Sequence, residues 1–494
     1  MNTITEGLPN FKTFEKEIFG TMCGIACELA RQYLELQDVS LMGTRDTGEY
    51  RLVGFRKTTI KTLFGEVTYS RRYYRKRDGG YVCLLDEAMG IGGCFGLVSE
   101  NLAELLVNEC ADKSYRKASA SIGAATGQGI SAMGAWNVVQ KYGEAIGRQE
   151  KRLEELAEAG STGHLGGVSA KVLFEEHDDV WISRQRKKRR KAGTAAQGAK
   201  KIGKKPGKLP MHVSIAYTGW KRSNDGRHNA ANKIAYASFG KPATFRVKFG
   251  TLLSQRFDMD GVERRITNGD GEAWIRTAAE ENDTILQLDP FHRSQAIIRA
   301  VKDKSDRELL FEAIDEKDVD KTLSTICELA LDTRDETEKE KLSKLYGYFR
   351  SNRDILLSWQ ERGVELPAPP AGISYREMGL QESSNCLITQ RMKNRRASWS
   401  EDGANNMAKI LCLRGTIGLD TFLGSLPELT PYVGTGAEPL SAAKAPLHDG
   451  KGYWADGLHA PMPFEGAFRT NGREAIRRML RLRPLPSAAI LQGS

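Results

Sequence analysis

Apolar residues recur near a 3.6-residue period at Phe11, Phe14, Ile18, Met22, Ile25, Leu29 and Leu34, which predicts a helix over residues 11–37. The period then changes. From Thr58 to Tyr74 the chain alternates Ile60, Thr62 and Phe64, passes Gly65, and resumes with Val67 and Tyr69, the pattern of a β-hairpin. Residues 99–159 return to a helical period, with Ser99, Ser114 and Ser131 each standing where a helix N-cap belongs. Gly127-Gln-Gly129 separates the second and third of these helices, and Met133, Trp136, Val139 and Ile146 give the third an apolar stripe. Two helices joined by a short glycine turn have the outline of a helix-turn-helix, although any helical bundle contains such pairs.

From Lys171 the pattern becomes mixed. KVLFEEHDDVWIS (171–183), MHVSIAYTGW (211–220), ATFRVKFG (243–250), VERRITNGDG (262–271) and TILQLD (284–289) read as strands, the last leading into a helix that begins FHRSQAIIRAV. Residues 302–363 are charged with Leu, Ile and Trp at helical spacing, and mixed structure resumes near Ile373. Past about Gly415 the chain is rich in Gly and Pro and reads as a loosely structured tail. The predicted organisation is a helical region (1–50), a hairpin region (51–95), a helical, helix-turn-helix-like region (96–165), a mixed core (166–300), a helical insertion (301–370), the last part of the core (371–415) and the tail (416–494).

Charge narrows the partners. Lys and Arg number 73 against 63 Asp and Glu, a net +10 that suits an anionic partner. Arg71, Arg72 and Arg75 lie beside Tyr69, Tyr73 and Tyr74 on the second hairpin strand, read as its outer one, a combination that suits a phosphate backbone or a solvated edge strand alike. Twelve Lys or Arg and no acid fill the stretch from Arg184 to Lys208, including Arg186, Lys187, Lys188, Arg189 and Arg190, which reads as a mobile loop able to hold DNA without reading its sequence. No run of 18 apolar residues is present, and Glu6, Glu15 and Glu17 sit where a secretory leader would be basic and apolar, so neither a membrane span nor a leader is expected. The eight cysteines form no CxxC and fit free thiols in a reducing cytoplasm, with Cys23 and Cys27 as core residues of the first helix.

Three carboxylates stand out by position. Asp178 falls within the first strand of the mixed region, Asp270 at a strand end before Gly271, and Glu382 at the opening of a helical stretch, ESSNCLITQRMKNRRASW. Acids so placed can converge at one end of a sheet, where their oxygens suit hard divalent cations. Each taken singly is more often a solvated end or a cap. Lys393, Arg395 and Arg396 follow Glu382 on the same stretch and suit DNA leading from such a site or a solvated face. Trp399 suits the core or a splayed base.

The runs GDGEAWIR, LQLDPFHRSQAI and QESSNCLITQRMKNRRASWSEDGANNMAKIL, in that order, resemble bacterial insertion-sequence transposases of the ISLre-two family, related to the Mutator-like group. TLFGEVTYSRRYY, LLDEAMG and the SYRKA segment are similar to that family's front end, and the similarity spans roughly residues 50–415. The resemblance implies an α/β fold. Its catalytic core would be an RNase H-like mixed sheet with a helical insertion, behind an α-helical and β-hairpin DNA-binding region. It implies Asp178, Asp270 and Glu382 as the acids of a DDE site holding two Mg²⁺ (or Mn²⁺) ions, with Asp289 and His292 in the D-P-F-H segment and His292 near the scissile phosphate. It also implies cleavage at the element's ends, strand transfer into target DNA, at least a homodimer, and a cytoplasmic, nucleoid-associated protein. Asp179 competes with Asp178 for the first position, since alternation along a strand puts the two on opposite faces. A nuclease of the same fold without strand transfer, or a non-catalytic DNA-binding regulator, would share many of these features.

Overall fold

Asn10 opens the first helix, accepting a hydrogen bond from the Thr13 amide, and α1 (Phe11–Thr44) runs past its predicted end. This is a computed structural model, which describes residues 10–91, 97–158, 167–185, 207–394 and 397–416. They form two compact units, one up to Tyr142 and the other from Gly143.

In the first unit α1 is followed by β1 (Tyr50–Lys61), β2 (Glu66–Lys76) and β3 (Tyr81–Val82), an antiparallel sheet in the order β1-β2-β3. The hairpin turns at Gly65 as its alternation predicts. Its second strand is the middle one of three, however, a correction to the expected outer position. Leu34 of α1 packs with Ile60, Val67, Tyr69 and Leu85, the last from the short α2 (Leu84–Ala88). Helices α3 (Glu100–Asp112), α4 (Tyr115–Thr126) and α5 (Ala132–Glu158) carry the predicted caps: Ser99, Ser114 and Ser131 accept from the amides of Leu102, Lys117 and Gly134. Gly127 closes α4 in the left-handed region at φ 70°, where a Cβ is disfavoured. The predicted stripe on α5 divides: Val139 and Ile146 are buried, whereas Met133 and Trp136 are exposed.

The second unit is a mixed α/β structure. β4 (Val172–Ser183), β5 (Lys208–Tyr217), β6 (Trp220–Arg222), β7 (His228–Ala230) and β8 (Ile234–Ser238) come first, followed by α6 (Pro242–Arg256), β9 (Arg264–Gly269), α7 (Ala273–Glu281) and β10 (Ile285–Leu288). Five of the strands form one sheet in the order β10-β9-β4-β5-β8. β4 and β5, and β5 and β8, pair antiparallel, while β4 and β9, and β9 and β10, pair parallel. β4 is therefore central. β6 and β7 form a small second sheet with β11 (Ile373–Ser374).

ATFRVKFG is a correction: it lies in α6, not in a strand. Phe245, Phe249 and Leu253 recur every fourth residue on its buried side, and Val247, which strand alternation would place with Phe245 and Phe249, is exposed. Pro242 at the first turn fits the helix start. The helix expected after TILQLD is α8 (Pro290–Ala300), and the expected charged helical stretch is α9 (Lys304–Asp315), α10 (Val319–Asp332) and α11 (Glu336–Ser351), all packed on Leu288, Ile297, Leu310, Ile326, Leu345 and Phe349. α12 (Leu380–Met392) and α13 (Glu401–Arg414) close the described chain. Among the described residues no helix is long and apolar enough to cross a membrane.

Alternate residues of β4 serve opposite faces of the sheet. Glu175 bonds Arg265 at 2.7 Å, His177 Nδ1 lies 2.6 Å from Ser214 Oγ, and Asp179 Oδ1 lies 2.6 Å from His212 Nδ1. His177 and His212 both lean on Trp274, and His212 also meets Phe245. Burial, with the Arg265 charge behind it, pushes the His177 pKa down from 6.5 to about 3. The folded state therefore refuses a proton that the unfolded chain accepts, so this stabilisation is whole above pH 6.5 and is lost as pH falls toward 3. His177→Gln should remove up to about 1.4 kcal/mol per pH unit of the acid-side slope of stability, measured by urea unfolding across that window.

Candidate active site

The other face of β4 carries Phe174, Glu176 and Asp178. Phe174 stacks on Tyr217 and meets Trp220, Trp359 and Tyr375, an aromatic floor. Above it Glu176, wholly buried, accepts from Tyr217 Oη at 2.5 Å and Asn268 Nδ2 at 3.1 Å. It also accepts from the amides of Gly379, Leu380 and Gln381 at 3.3, 3.0 and 3.0 Å. Those amides open α12, which has no side-chain cap of its own. A carboxylate from the central strand thus takes the cap position, where free N–H groups and the helix dipole favour negative charge.

Asn268 is the register partner of Glu176 on β9, and its Nδ2 also reaches Asp289 Oδ2 at 3.0 Å. Asp289 follows β10 and caps α8 through the Phe291 amide at 2.8 Å. Burial, then the nearby Glu176 charge, raises its pKa to about 6. This polar chain fixes α8 and α12 to the same end of the sheet.

Asp178 and Asp270 sit two residues beyond the last β4–β9 pair, Glu176 with Asn268, so the parallel register carries both acids to one place. Asp178 Oδ2 accepts from Asn385 Nδ2 of α12 at 2.6 Å, and its Oδ1 faces His292 Nε2 of α8 at 3.8 Å. Asp270 is held by a local turn: its Oδ1 accepts from the Glu272 amide at 3.0 Å, and its carbonyl accepts from Tyr348 Oη at 2.9 Å. Gly271 follows at φ 85°, and a Cβ there would stand 2.2 Å from Asn352 Oδ1, so glycine is needed twice over. Burial first raises the pKa of Asp178, with His292 opposing and the Asp270 charge adding to the rise. Burial raises Asp270 as well, and the Asp179 charge adds to it.

Of the residues singled out by sequence, Asp178, Asp270 and His292 come together. Glu382 lies on the first turn of the same α12, exposed, while Asn385 one turn later is the α12 residue on Asp178. Asp179 faces His212 on the opposite side of the sheet. Among the described residues no three His, Cys, Asp or Glu side chains converge closely enough to hold a metal ion. Arg71 and Arg72 pair with Asp86 and Asp38 at 2.6 Å each, and Arg75 is exposed. Lys393 is exposed just past α12. Arg186, Lys187, Lys188, Arg189, Arg190, Arg395, Arg396 and the tail from residue 417 lie outside the described residues. Trp399 is in the core, its Nε1 donating to the Met392 carbonyl at 3.1 Å. Sequence reasoning missed Glu176, Asn268 and Asn385. An acid in an apolar strand opposite an Asn on its neighbour was the available signal.

Glu176→Ala should cost at least about 1–3 kcal/mol, the cost of leaving a buried donor unsatisfied, because the α12 amides lose their acceptor. Urea unfolding measures it, and hydrogen exchange at Leu380 and Gln381 should quicken with it. A loss below about 1 kcal/mol would mean that the cap does not hold α12.

Residues 3–420 match the model of an uncharacterised protein family, UPF0236. The UPF0236 protein in the vanSb 3′ region of Streptococcus gallolyticus is 25% identical over 415 residues, 80% of this chain and 81% of that one. A UPF0236 protein of Caldanaerobacter subterraneus subsp. tengcongensis is 23% identical over 360 residues, 72% of this chain and 67% of the relative. The crystal structure of the Mos1 strand transfer complex aligns over 53% of this chain and 79% of that chain at 9% identity, with a TM-score of 0.13, too low to bear on the fold. The family match spans most of the sequence, and the chain belongs to the UPF0236 family.

Proposed function

We propose that this protein is a DNA transposase of the DDE type, with the five-stranded sheet as an RNase H-like core. One observation carries the reading. An acid on the central strand, Asp178, and an acid at the end of its parallel neighbour, Asp270, meet where α8 and α12 also arrive. The strand order supports it: numbered along the sheet's own path, three antiparallel strands and two parallel ones run 3-2-1-4-5. The family resemblance of the GDGEAWIR, DPFH and QESSN runs supports it too.

Asp178 and Asp270 fit a divalent cation. Both are half-buried acids whose pKa values rise through desolvation, and Asp178 feels the Asp270 charge, a strain that a cation would relieve. Glu382, on the first turn of α12, is the proposed third ligand for Mg²⁺ or Mn²⁺. Bound ions supply activation of the attacking oxygen and stabilisation of the leaving one. Asn385 fixes the Asp178 carboxylate by holding Oδ2, and His292 presents Nε2 toward Oδ1, where it can also meet a phosphate oxygen. The hairpin residue Arg75 and the basic stretch 184–208 are assigned to end and target DNA, and Lys393, Arg395 and Arg396 to DNA leaving the site.

Asp270→Asn and Asp178→Asn should each abolish Mg²⁺-dependent nicking of element-end DNA while leaving end binding near its original level, and Asp179→Asn should retain nicking. Asn385→Ala should lower the rate by about 10–100-fold, as the loss of an orienting partner does. A pre-cut end supplied with target DNA should be joined to it. Cleavage without joining would mean a nuclease, and undiminished cleavage by Asp270→Asn would remove the site altogether.

A further inference from the structure

The first helix carries an apolar stripe that its own hairpin does not use. Cys27, Ala30, Leu34 and Leu41 pack toward β1 and β2. A second set, Phe11, Phe14, Ile18, Met22, Ile25, Leu29, Tyr33 and Leu36, lies about 150° round the helix from these at 3.6 residues per turn. Phe11, Met22 and Leu36 are 75%, 50% and 54% exposed; Phe14, Ile18 and Tyr33 are exposed too, with Ile25 and Leu29 partly buried between them.

The spacing of this stripe is regular. Phe11, Met22 and Tyr33 stand eleven residues apart, Phe14, Ile25 and Leu36 repeat the interval, and Ile18 and Leu29 complete it. An 11-residue repeat, at 3.67 residues per turn, keeps a seam nearly straight along a helix and is the period of helices packed side by side in a coiled coil. From Phe11 to Ile18 every residue is exposed, yet the segment is helical, and short helical stretches in water depend on packing of an apolar face.

We propose that this seam pairs with the same seam of a second copy of the chain, so that two α1 helices form a coiled-coil dimer. Covering the eight side chains would remove roughly 700 Å² per copy, close to the ~800 Å² per partner of a standard stable interface. A second copy is also the one partner guaranteed to carry the same repeat in the same phase. The inference does not rest on the transposase reading, since the dimer forms without DNA.

Light scattering or sedimentation of the full chain at about 10 µM, without DNA, should give twice the chain mass, the result expected of an interface near standard size. The doubly substituted I18D/M22D chain should be monomeric, its far-ultraviolet circular dichroism lowered by no more than the fraying of the first turns of α1. The milder Phe14→Ala should raise the dimer dissociation constant at least roughly tenfold, the loss expected of a central aromatic anchor. Both sites are exposed in the single chain, so neither change should prevent folding. A monomeric parent chain, or a dimer unmoved by both variants, overturns the proposal. A monomer that melts lower when Ile18 and Met22 are replaced would mean that another segment of the same chain covers the seam, and it overturns the proposal equally.

Discussion

The second unit depends on one buried carboxylate. Glu176 sits wholly buried on the central strand, and leaving a carboxylate unpaired there would be far more costly than any single contact nearby is worth. The structure answers with five donors: a phenol, an amide side chain and three backbone N–H groups from a segment 203 to 205 residues away in sequence. The demand is mutual. α12 has no cap of its own, and its first turn would be left with open amides. Strand and helix each supply what the other lacks, so the helix arrives at one height on the sheet and in one rotation. That rotation turns Asn385 onto Asp178.

β4 sorts its polar residues by parity. Glu175, His177 and Asp179 point to one side, where each has a fixed partner among aromatic and apolar residues. Glu176 and Asp178 point to the other, where α8 and α12 converge. Two adjacent acids, Asp178 and Asp179, therefore live in different surroundings. Asp179 is held by His212 at 2.6 Å, while the nearest imidazole to Asp178 stands off at 3.8 Å. A half-buried acid fixed by Asn385, with an imidazole and a second acid close by, is the better placed for chemistry with a bound group.

Much of the architecture was legible in the chain. The hairpin about Gly65, the serine caps, the charged helical insertion and the strands at 171–183, 262–271 and 284–289 all follow from local period and local capping chemistry. The misreadings have physical causes. ATFRVKFG has strand composition, and its helical period emerges only when Leu253 is counted with Phe245 and Phe249. IAYAS, buried on every residue, offers no alternation to read. Arg71 and Arg72 look like an exposed basic edge until Asp38 and Asp86, distant in sequence, are seen beside them. For the site, Asp270 is legible as an acid at a strand end, whereas the choice of Asp178 over Asp179 and the part given to His292 rest on the family resemblance. The orientation of α12 is not legible, because it is set by a contact spanning more than 200 residues that no local pattern records.

That long span has a consequence for synthesis. The partners of Glu176 at Gly379 to Gln381 lie 203 to 205 residues downstream, beyond the whole helical insertion. At about 5–20 residues per second a ribosome needs ~10–40 s to deliver them. Throughout that interval the nascent sheet holds a carboxylate lacking three of its eventual donors. The central strand therefore has reason to stay loosely paired, open to water, until nearly the last described helix emerges. Assembly of the candidate site is thus a late event, and a chain cut short before residue 379 would hold all five strands of the sheet but lack α12 and the Asn385 bond to Asp178.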